Sequence, residues 1–262
     1  MANSLRGTNV PRVFLDTSVL KHAVTHAMRF EARKQRLQWG SLDYEVPIKH
    51  LVKRHLHHRS SSALRCDASL LLGIAGLALK KKVELVWHLE TQLEYLGLRK
   101  ATGVSSAFYG APIGVIQGPV RYSRTLIDGS GTLGAPEQLT VQFLEAINVS
   151  RYLELKRLTN AQPASKHYVN QLLDAFHIWC AESSNSAVFL TTDYTLIRLA
   201  AKSPSKPQSL RLLTPRGLML SLAMERRLTV WEMLEALGSF SYRLTTSFWE
   251  RPVDVNLFGD VA

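Results

Sequence analysis

Acid is what this chain is short of. Asp and Glu number 21 against 32 Lys and Arg, a formal net charge of +11. A surplus of that size suits a polyanionic partner such as nucleic acid; a basic surface with no such partner is the alternative. Cysteine is scarcer still. Cys66 and Cys180 are the only two, too few for a disulfide framework or a cysteine-rich zinc site. Both fall in apolar stretches of helical character and read as free, buried thiols of a reducing compartment. Long apolar runs are also lacking. The most apolar stretch, residues 68–79, falls short of the ~20 residues that span a bilayer. It runs into Lys80-Lys81-Lys82, as a buried helix with cations at its C-terminus does. Residues 1–10 carry no apolar core of the signal-peptide kind, so a cytoplasmic location without a membrane partner is expected. Internal repeats and low-complexity tracts are absent.

What is present is an ordinary globular composition, 46% hydrophobic and 20% charged over 262 residues. That accommodates one elaborated domain, or one domain with a small appendage. Strand-like runs at residues 12–15, 83–87, 187–192 and 210–214 are separated by helical patterns. Such alternation predicts an α/β fold with a mainly parallel central sheet flanked by helices. A helix is expected from Ser18, continuing through residues 28–37 with Arg29, Arg33, Lys34 and Arg36 on a basic face. Residues 49–59 read as a second basic, solvated helix, and Asp67 as the N-cap of the apolar helix after it. Seven of the 15 glycines crowd into residues 101–136, which predicts loops or a hairpin there. Helices follow at 138–147, 151–158, 167–183 and 218–237.

Four of the few acids stand at positions that matter. Asp16 closes the apolar run Val13-Phe14-Leu15, and Asp193 closes Phe189-Leu190-Thr191-Thr192. Glu94 lies on a helix just after the second strand. Asp174 sits beside the apolar stripe of a long helix that leads into the strand ending at Asp193. Acids near the carboxyl ends of parallel strands converge on the crevice where open α/β sheets bind ligands. Clustered carboxylates repel, and the usual reason to assemble them is a hard cation. Three of the acids have a plainer alternative. Asp16 could cap the next helix, Glu94 could be a surface acid with Glu90 as its rival one turn earlier, and Asp193 could be a turn residue.

In order along the chain, these segments resemble the motifs of PIN-domain nucleases. They read Val-Phe-Leu-Asp16-Thr17-Ser18, then Thr91-Gln92-Leu93-Glu94 after a strand, then Asp174-Ala175-Phe176-His177 on a helix, then Thr191-Thr192-Asp193 at a strand end. A final run, Leu210-Arg211-Leu212-Leu213-Thr214-Pro215, is similar to the family's last strand. The matched segments cover well under half of the chain. The resemblance implies a sheet of about five strands with the acids at one crevice. It implies a nuclease domain over residues 11–216, with helical insertions at about 21–82 and 98–166 and a helical extension over 217–262. It also implies a divalent-metal-dependent endoribonuclease. Asp16, Asp174 and Asp193 would hold Mg²⁺ or Mn²⁺ directly or through water, and Glu94 would hold metal, orient a metal-bound water or take its proton. The hydroxyls of Thr17, Ser18 and Thr192 would fix a carboxylate or a phosphate oxygen. His177, about one turn after Asp174, would touch substrate or support the acids. RNA is the expected substrate, with DNA as the alternative. A neutralising antitoxin, a regulatory protein or a second copy of the chain are the expected protein partners, in the manner of toxin or phage-defence effectors. A module that binds without cutting, and a structure-selective DNA nuclease, remain the competing functions.

Two further signals carry less. Gly129-Ser130-Gly131-Thr132-Leu133-Gly134 has the dinucleotide spacing, but the run before it is too short and polar for a central strand. A flap facing nucleic acid through Arg121 and Arg124 fits better. His50, His55, His57 and His58 lack the paired cysteines of a zinc site. The same stretch, with Lys53 and Arg54, offers phosphate contacts instead.

Overall fold

The structure, a computed structural model, describes residues 10–23, 26–53, 61–97, 107–120, 136–225, 227–229 and 232. In chain order its elements are β1 (Arg12–Leu15), α1 (Thr17–Ala23), β2 (His26–Trp39), β3 (Leu42–Lys53), α2 (Ser62–Leu79), β4 (Glu84–His88) and α3 (Leu89–Gly97). A 3₁₀ turn at Ala107–Gly110 leads to β5 (Ile113–Ile116), followed by α4 (Pro136–Ala146), α5 (Ser150–Leu158) and α6 (Tyr168–Ser183). The order closes with β6 (Val188–Leu190), α7 (Tyr194–Lys202), β7 (Arg211–Leu213) and α8 (Pro215–Met224).

Five strands form one parallel sheet in the order β5-β4-β1-β6-β7. The fold is therefore the α/β arrangement expected, with β1 at its centre. Val13, Phe14 and Leu15 are all buried because a parallel strand is covered on both faces. Alternation divides them between two cores. Val13 and Leu15 join Leu85, Trp87, Val188 and Leu190 against α1, α2 and α8. Phe14 joins Val86 and Phe189 against α5, α6 and α7. Phe14 stacks on Phe189 at 5.5 Å, and each such buried side chain contributes about 1.5–3 kcal/mol. Helices link the carboxyl end of one parallel strand to the amino end of the next. The N-termini of α2, α6, α7 and α8 therefore lie at the carboxyl end of the sheet.

Several local expectations differ from what is found. Residues 28–37 form no helix. They belong to β2, which pairs antiparallel with β3 as a separate two-stranded sheet from His26↔Lys53 to Trp39↔Leu42. Gly40, at φ 64°, supplies the tight turn. The register shifts between Phe30 and Lys34, and Pro47, which has no amide to donate, stands opposite Lys34. Residues 49–53 are strand rather than helix, while Arg54 and the three histidines beyond it lie outside the described residues. The glycine-rich stretch supplies a 3₁₀ turn and the fifth strand, β5, rather than only loop; residues 121–135, with Arg121, Arg124 and the glycine triplet, also lie outside the described residues. So does most of the expected C-terminal extension, of which α8 is the described part.

The apolar helix is longer than its pattern suggested. α2 has 18 residues and is capped by Ser61, whose hydroxyl accepts the Leu64 amide at 3.2 Å. It is the one described helix long and apolar enough to cross a bilayer, yet it packs on α1 and α8 with Leu71, Ile74, Leu77 and Ala78 buried. Cys66 on this helix is exposed, against expectation, whereas Cys180 is buried. Asp67 caps nothing in α2. Buried mid-helix, it accepts the Tyr194 hydroxyl and, at 2.8 Å, the Arg216 amide, so it fastens the starts of α7 and α8 to α2. Asp67→Ala strands that amide and hydroxyl and should cost about 1.5–3 kcal/mol. Urea unfolding checks this against Cys66→Ala, its exposed neighbour; equal midpoints for the two variants would refute the tie.

Candidate functional site

Asp16 is the first residue beyond β1. Its amide continues the ladder to Leu190 O at 3.0 Å, and its carbonyl accepts the Val19 and Leu20 amides that open α1. The main chain, not the carboxyl, thus starts the helix, and the side chain is released for other work. Asp16 Oδ2 accepts the Ser18 hydroxyl at 2.5 Å and the Thr191 hydroxyl at 2.7 Å. Each hydroxyl has a single hydrogen, spent on this oxygen, so the 3.1 Å approach of Ser18 to Thr191 leaves both free to accept. Ser18 Oγ accepts the Thr192 amide and Thr191 Oγ1 the Asp193 amide, both at 3.0 Å. The parallel register of β1 with β6 sets these contacts, because it places Asp16 level with Thr191. Charge-assisted bonds of this kind are about twice as strong as neutral ones.

Asp193 performs the turn role and a site role together. Its Oδ1 caps α7 by accepting the Thr195 amide at 2.7 Å and the Leu196 amide at 3.0 Å. Glu94 reaches the site from α3, where its Oε2 accepts the Thr17 hydroxyl. Its Oε1 is buried without a hydrogen-bond partner among the described residues, 3.8 Å from the equally unpartnered Nε2 of His177. The other ring nitrogen of His177 lies 4.0 Å from Asp16 Oδ1. These gaps exceed direct hydrogen bonds.

Asp174 completes the group from α6. Burial pushes its carboxyl well above the ordinary range, and the charges of Asp16, Asp193 and Glu94 push it further the same way. Four acids from four separate segments therefore share one electrostatic environment. Glu94 is raised too, by burial first, then by Glu90 and Asp16; His177 and the Thr17 hydroxyl pull in the other direction.

Beneath the acids lies support that the sequence did not advertise. His88 ends β4 and is buried. Its Nδ1 accepts the Glu90 amide at 3.1 Å, which caps α3, the helix carrying Glu94. Nε2 then bears the proton and faces Gln117 O at 3.3 Å. Burial, followed by the charge of His177, pulls this imidazole down to about 4, so it is neutral at pH 7. Gly118, at φ 68°, lies so close that a Cβ there would meet the ring at 2.9 Å. Glu90, the rival of Glu94, is buried beside this imidazole. Of the two threonines ending β6, Thr191 gives its hydroxyl to Asp16 and Thr192 gives its amide to Ser18. The strand period of two could have pointed to Thr191, two places before Asp193. Of the proposed nucleic-acid contacts, Lys53 ends β3, and Arg54, Arg121 and Arg124 lie outside the described residues.

The donor set suits a hard divalent cation. Every candidate ligand is a carboxylate, one oxygen of Asp16, Asp193 and Glu94 is held by the fold, and Glu94 Oε1 is a buried acceptor without a donor among the described residues. Among the described residues no three His, Cys, Asp or Glu side chains stand close enough to form a closed metal shell. Mg²⁺ does not require one, since it uses one or two carboxylates and keeps several waters. Compared with known proteins, the chain matches no family model, no curated protein and no solved structure.

The raised carboxyls fix a pH dependence. A buried acid whose folded pKa exceeds its unfolded value binds more protons when folded, so stability falls as pH rises from the unfolded value through the folded one. The model-peptide values are 3.8 for Asp174 and 4.5 for Glu94. His88, depressed to about 4, contributes with the opposite sign between about 4 and its ordinary 6.5, so the carboxyls are read by comparison: in EDTA the melting temperature of wild type should fall relative to that of Asp174→Asn as pH rises from about 5. A difference between the two that does not change with pH would contradict the electrostatics described.

Proposed function

We propose that this protein is a divalent-metal-dependent endonuclease of the PIN-like kind, hydrolysing phosphodiester bonds in RNA. One observation carries the proposal: Asp16, Glu94, Asp174 and Asp193, scattered along the chain, meet at the carboxyl end of a parallel sheet, where the charges of the other three add to the cost of ionising Asp174. The net charge of +11 supports a nucleic-acid substrate. RNA rather than DNA rests on the motif resemblance alone. On this reading the protein acts in the cytoplasm as a toxin or defence effector, restrained by a protein partner.

Asp16, Asp174 and Asp193 would hold Mg²⁺ or Mn²⁺, one or two of them directly and the rest through water, with Glu94 beside them. The cation, when bound, supplies an acidified water and a counter-charge for the leaving oxygen. The chain's own residues do the placing. Ser18 and Thr191 fix the Asp16 carboxylate in one rotamer. Thr17 fixes Glu94 by one oxygen, leaving Oε1 to take a proton from an attacking water. A carboxyl raised by burial is suited to that transfer near neutral pH. His88 holds the first turn of α3 and so the approach of Glu94.

A binding module that does not cut is the second reading, favoured by the lack of a closed three-ligand shell among the described residues. End-labelled single-stranded RNA and DNA, incubated with the protein in Mn²⁺, Mg²⁺ or EDTA, separate the two. The proposal expects metal-dependent RNA cutting that falls at least about a hundredfold in Asp16→Asn. Retained binding with no cutting in any metal would favour the second reading. Millimolar Mn²⁺ should also raise the melting temperature of wild type and raise that of Asp174→Asn much less; an equal rise in both would remove Asp174 from the site.

A further inference from the structure

Among the described residues, arginine is paired with carboxylates at one end of the sheet and not at the other. At the amino end the guanidinium groups meet glutamates. Arg12, at the start of β1, pairs with Glu84 at 3.0 Å. Arg151, at the start of α5, grips Glu182 at the end of α6 through bonds of 2.9 and 2.7 Å. Arg211, at the start of β7, pairs with Glu225 at 3.2 Å. The carboxyl end is different. Arg65 lies in the first turn of α2, Arg157 in the last turn of α5, Arg198 in α7 and Arg216 in the first turn of α8. All four are exposed. No carboxylate pairs with any of them among the described residues. Arg198 makes only 3.3 Å contacts to the Tyr194 carbonyl and the Thr195 hydroxyl.

The placement is two and two. Arg157 and Arg198 stand on the helices that cover the Phe14 face of the sheet, whereas Arg65 and Arg216 stand on those that cover the Val13 face. The acids share this end of the sheet, Asp16 and Asp193 just beyond the ends of β1 and β6 and Glu94 and Asp174 on α3 and α6. An acid cluster repels phosphate, so a strand drawn over it needs cations on its flanks, and guanidinium groups bind phosphate oxygens bidentately. We propose that Arg65, Arg157, Arg198 and Arg216 form a phosphate-docking rim that lays one nucleic-acid strand across the carboxyl end of the sheet, from one helical layer to the other, over the four acids. The rim rests on the nuclease reading for its purpose, though not for the binding it predicts. It reads the phosphodiester backbone, so it accepts RNA and DNA strands alike and leaves selection of the sugar to the acid site.

The test uses the full chain in EDTA, so that nothing is cut, with fluorescein-labelled 20-nucleotide RNA and DNA of the same sequence and anisotropy as the readout. Arg157→Gln with Arg216→Gln removes one cation from each face. Affinity for both strands should fall at least about tenfold, and the slope of log affinity against log salt should become shallower by about 1.4, two single-strand phosphate contacts. Lys81→Gln with Lys202→Gln removes the same charge from exposed positions at the amino end, and should change affinity less than about twofold. Arg157→Lys with Arg216→Lys keeps the charge but not the bidentate fork, and should restore the wild-type salt slope with only part of the affinity. Equal losses in the arginine and lysine pairs, wild-type affinity in the arginine pair, or no binding by wild type would each overturn the rim. Cutting by wild type in Mn²⁺ with an unaffected arginine pair would overturn the rim and leave the nuclease. Arginine-dependent binding without cutting would support the rim and sink the nuclease.

Discussion

The repulsion among four carboxylates is the constraint that the rest of this structure answers. Asp174 feels Asp16, Asp193 and Glu94 at once, in surroundings that already disfavour charge. Nothing in a folding chain brings such groups together spontaneously, so the fold has to hold them. It does so with hydroxyls and amides. Ser18 and Thr191 hold Asp16, the first turn of α7 holds Asp193, and Thr17 holds Glu94. In each case one oxygen is engaged and the carboxylate cannot swing away from its neighbours. A cluster that is costly without a cation, and held in place regardless, has the character of a site prepared for one.

The force behind that holding comes from the two cores. β1 is buried on both faces, and its register with β4 and β6 is fixed by apolar contacts on each side. A slip of one residue would exchange the faces of Val13, Phe14 and Leu15 and separate Asp16 from Thr191. The same packing places α6 with Phe176 and Ile178 buried, which turns Asp174 and His177 toward the strand ends. The juxtaposition of the acids depends on ordinary hydrophobic packing being correct to within a single residue.

Much of this was legible in the sequence, for physical reasons that can be named. Apolar runs ending in Asp16 and Asp193 have the composition of buried parallel strands, and the acids fall where such strands deliver their ends. The 3.6 period of α6 set Asp174 and His177 on related faces. The β2–β3 hairpin was not legible, because Arg, Lys, Gln and Leu are good helix formers and conceal an alternating pattern. Pairing across the Gly40 turn overrides that propensity. β5 was hidden among glycines, since Ile113-Gly114-Val115-Ile116 gains its strand character only by pairing with β4. Thr191 was passed over for Thr192, and Asp67 was read as a cap, because single residues at element ends take their partners from distant segments. The supporting role of His88 was not legible; it exists only once β4, α3 and the Gln117 carbonyl are assembled.

The central claim is that these four acids form a hard-cation site, and direct binding of Mn²⁺ tests it without reference to any substrate. Free Mn²⁺ gives a six-line electron paramagnetic resonance spectrum that is lost on binding to protein. Titrated at pH 7.5, wild type should remove this signal saturably, with Mg²⁺ in excess restoring it, and Asp16→Asn with Asp174→Asn should leave it at full height. A wild-type titration indistinguishable from that of the double variant would contradict the account.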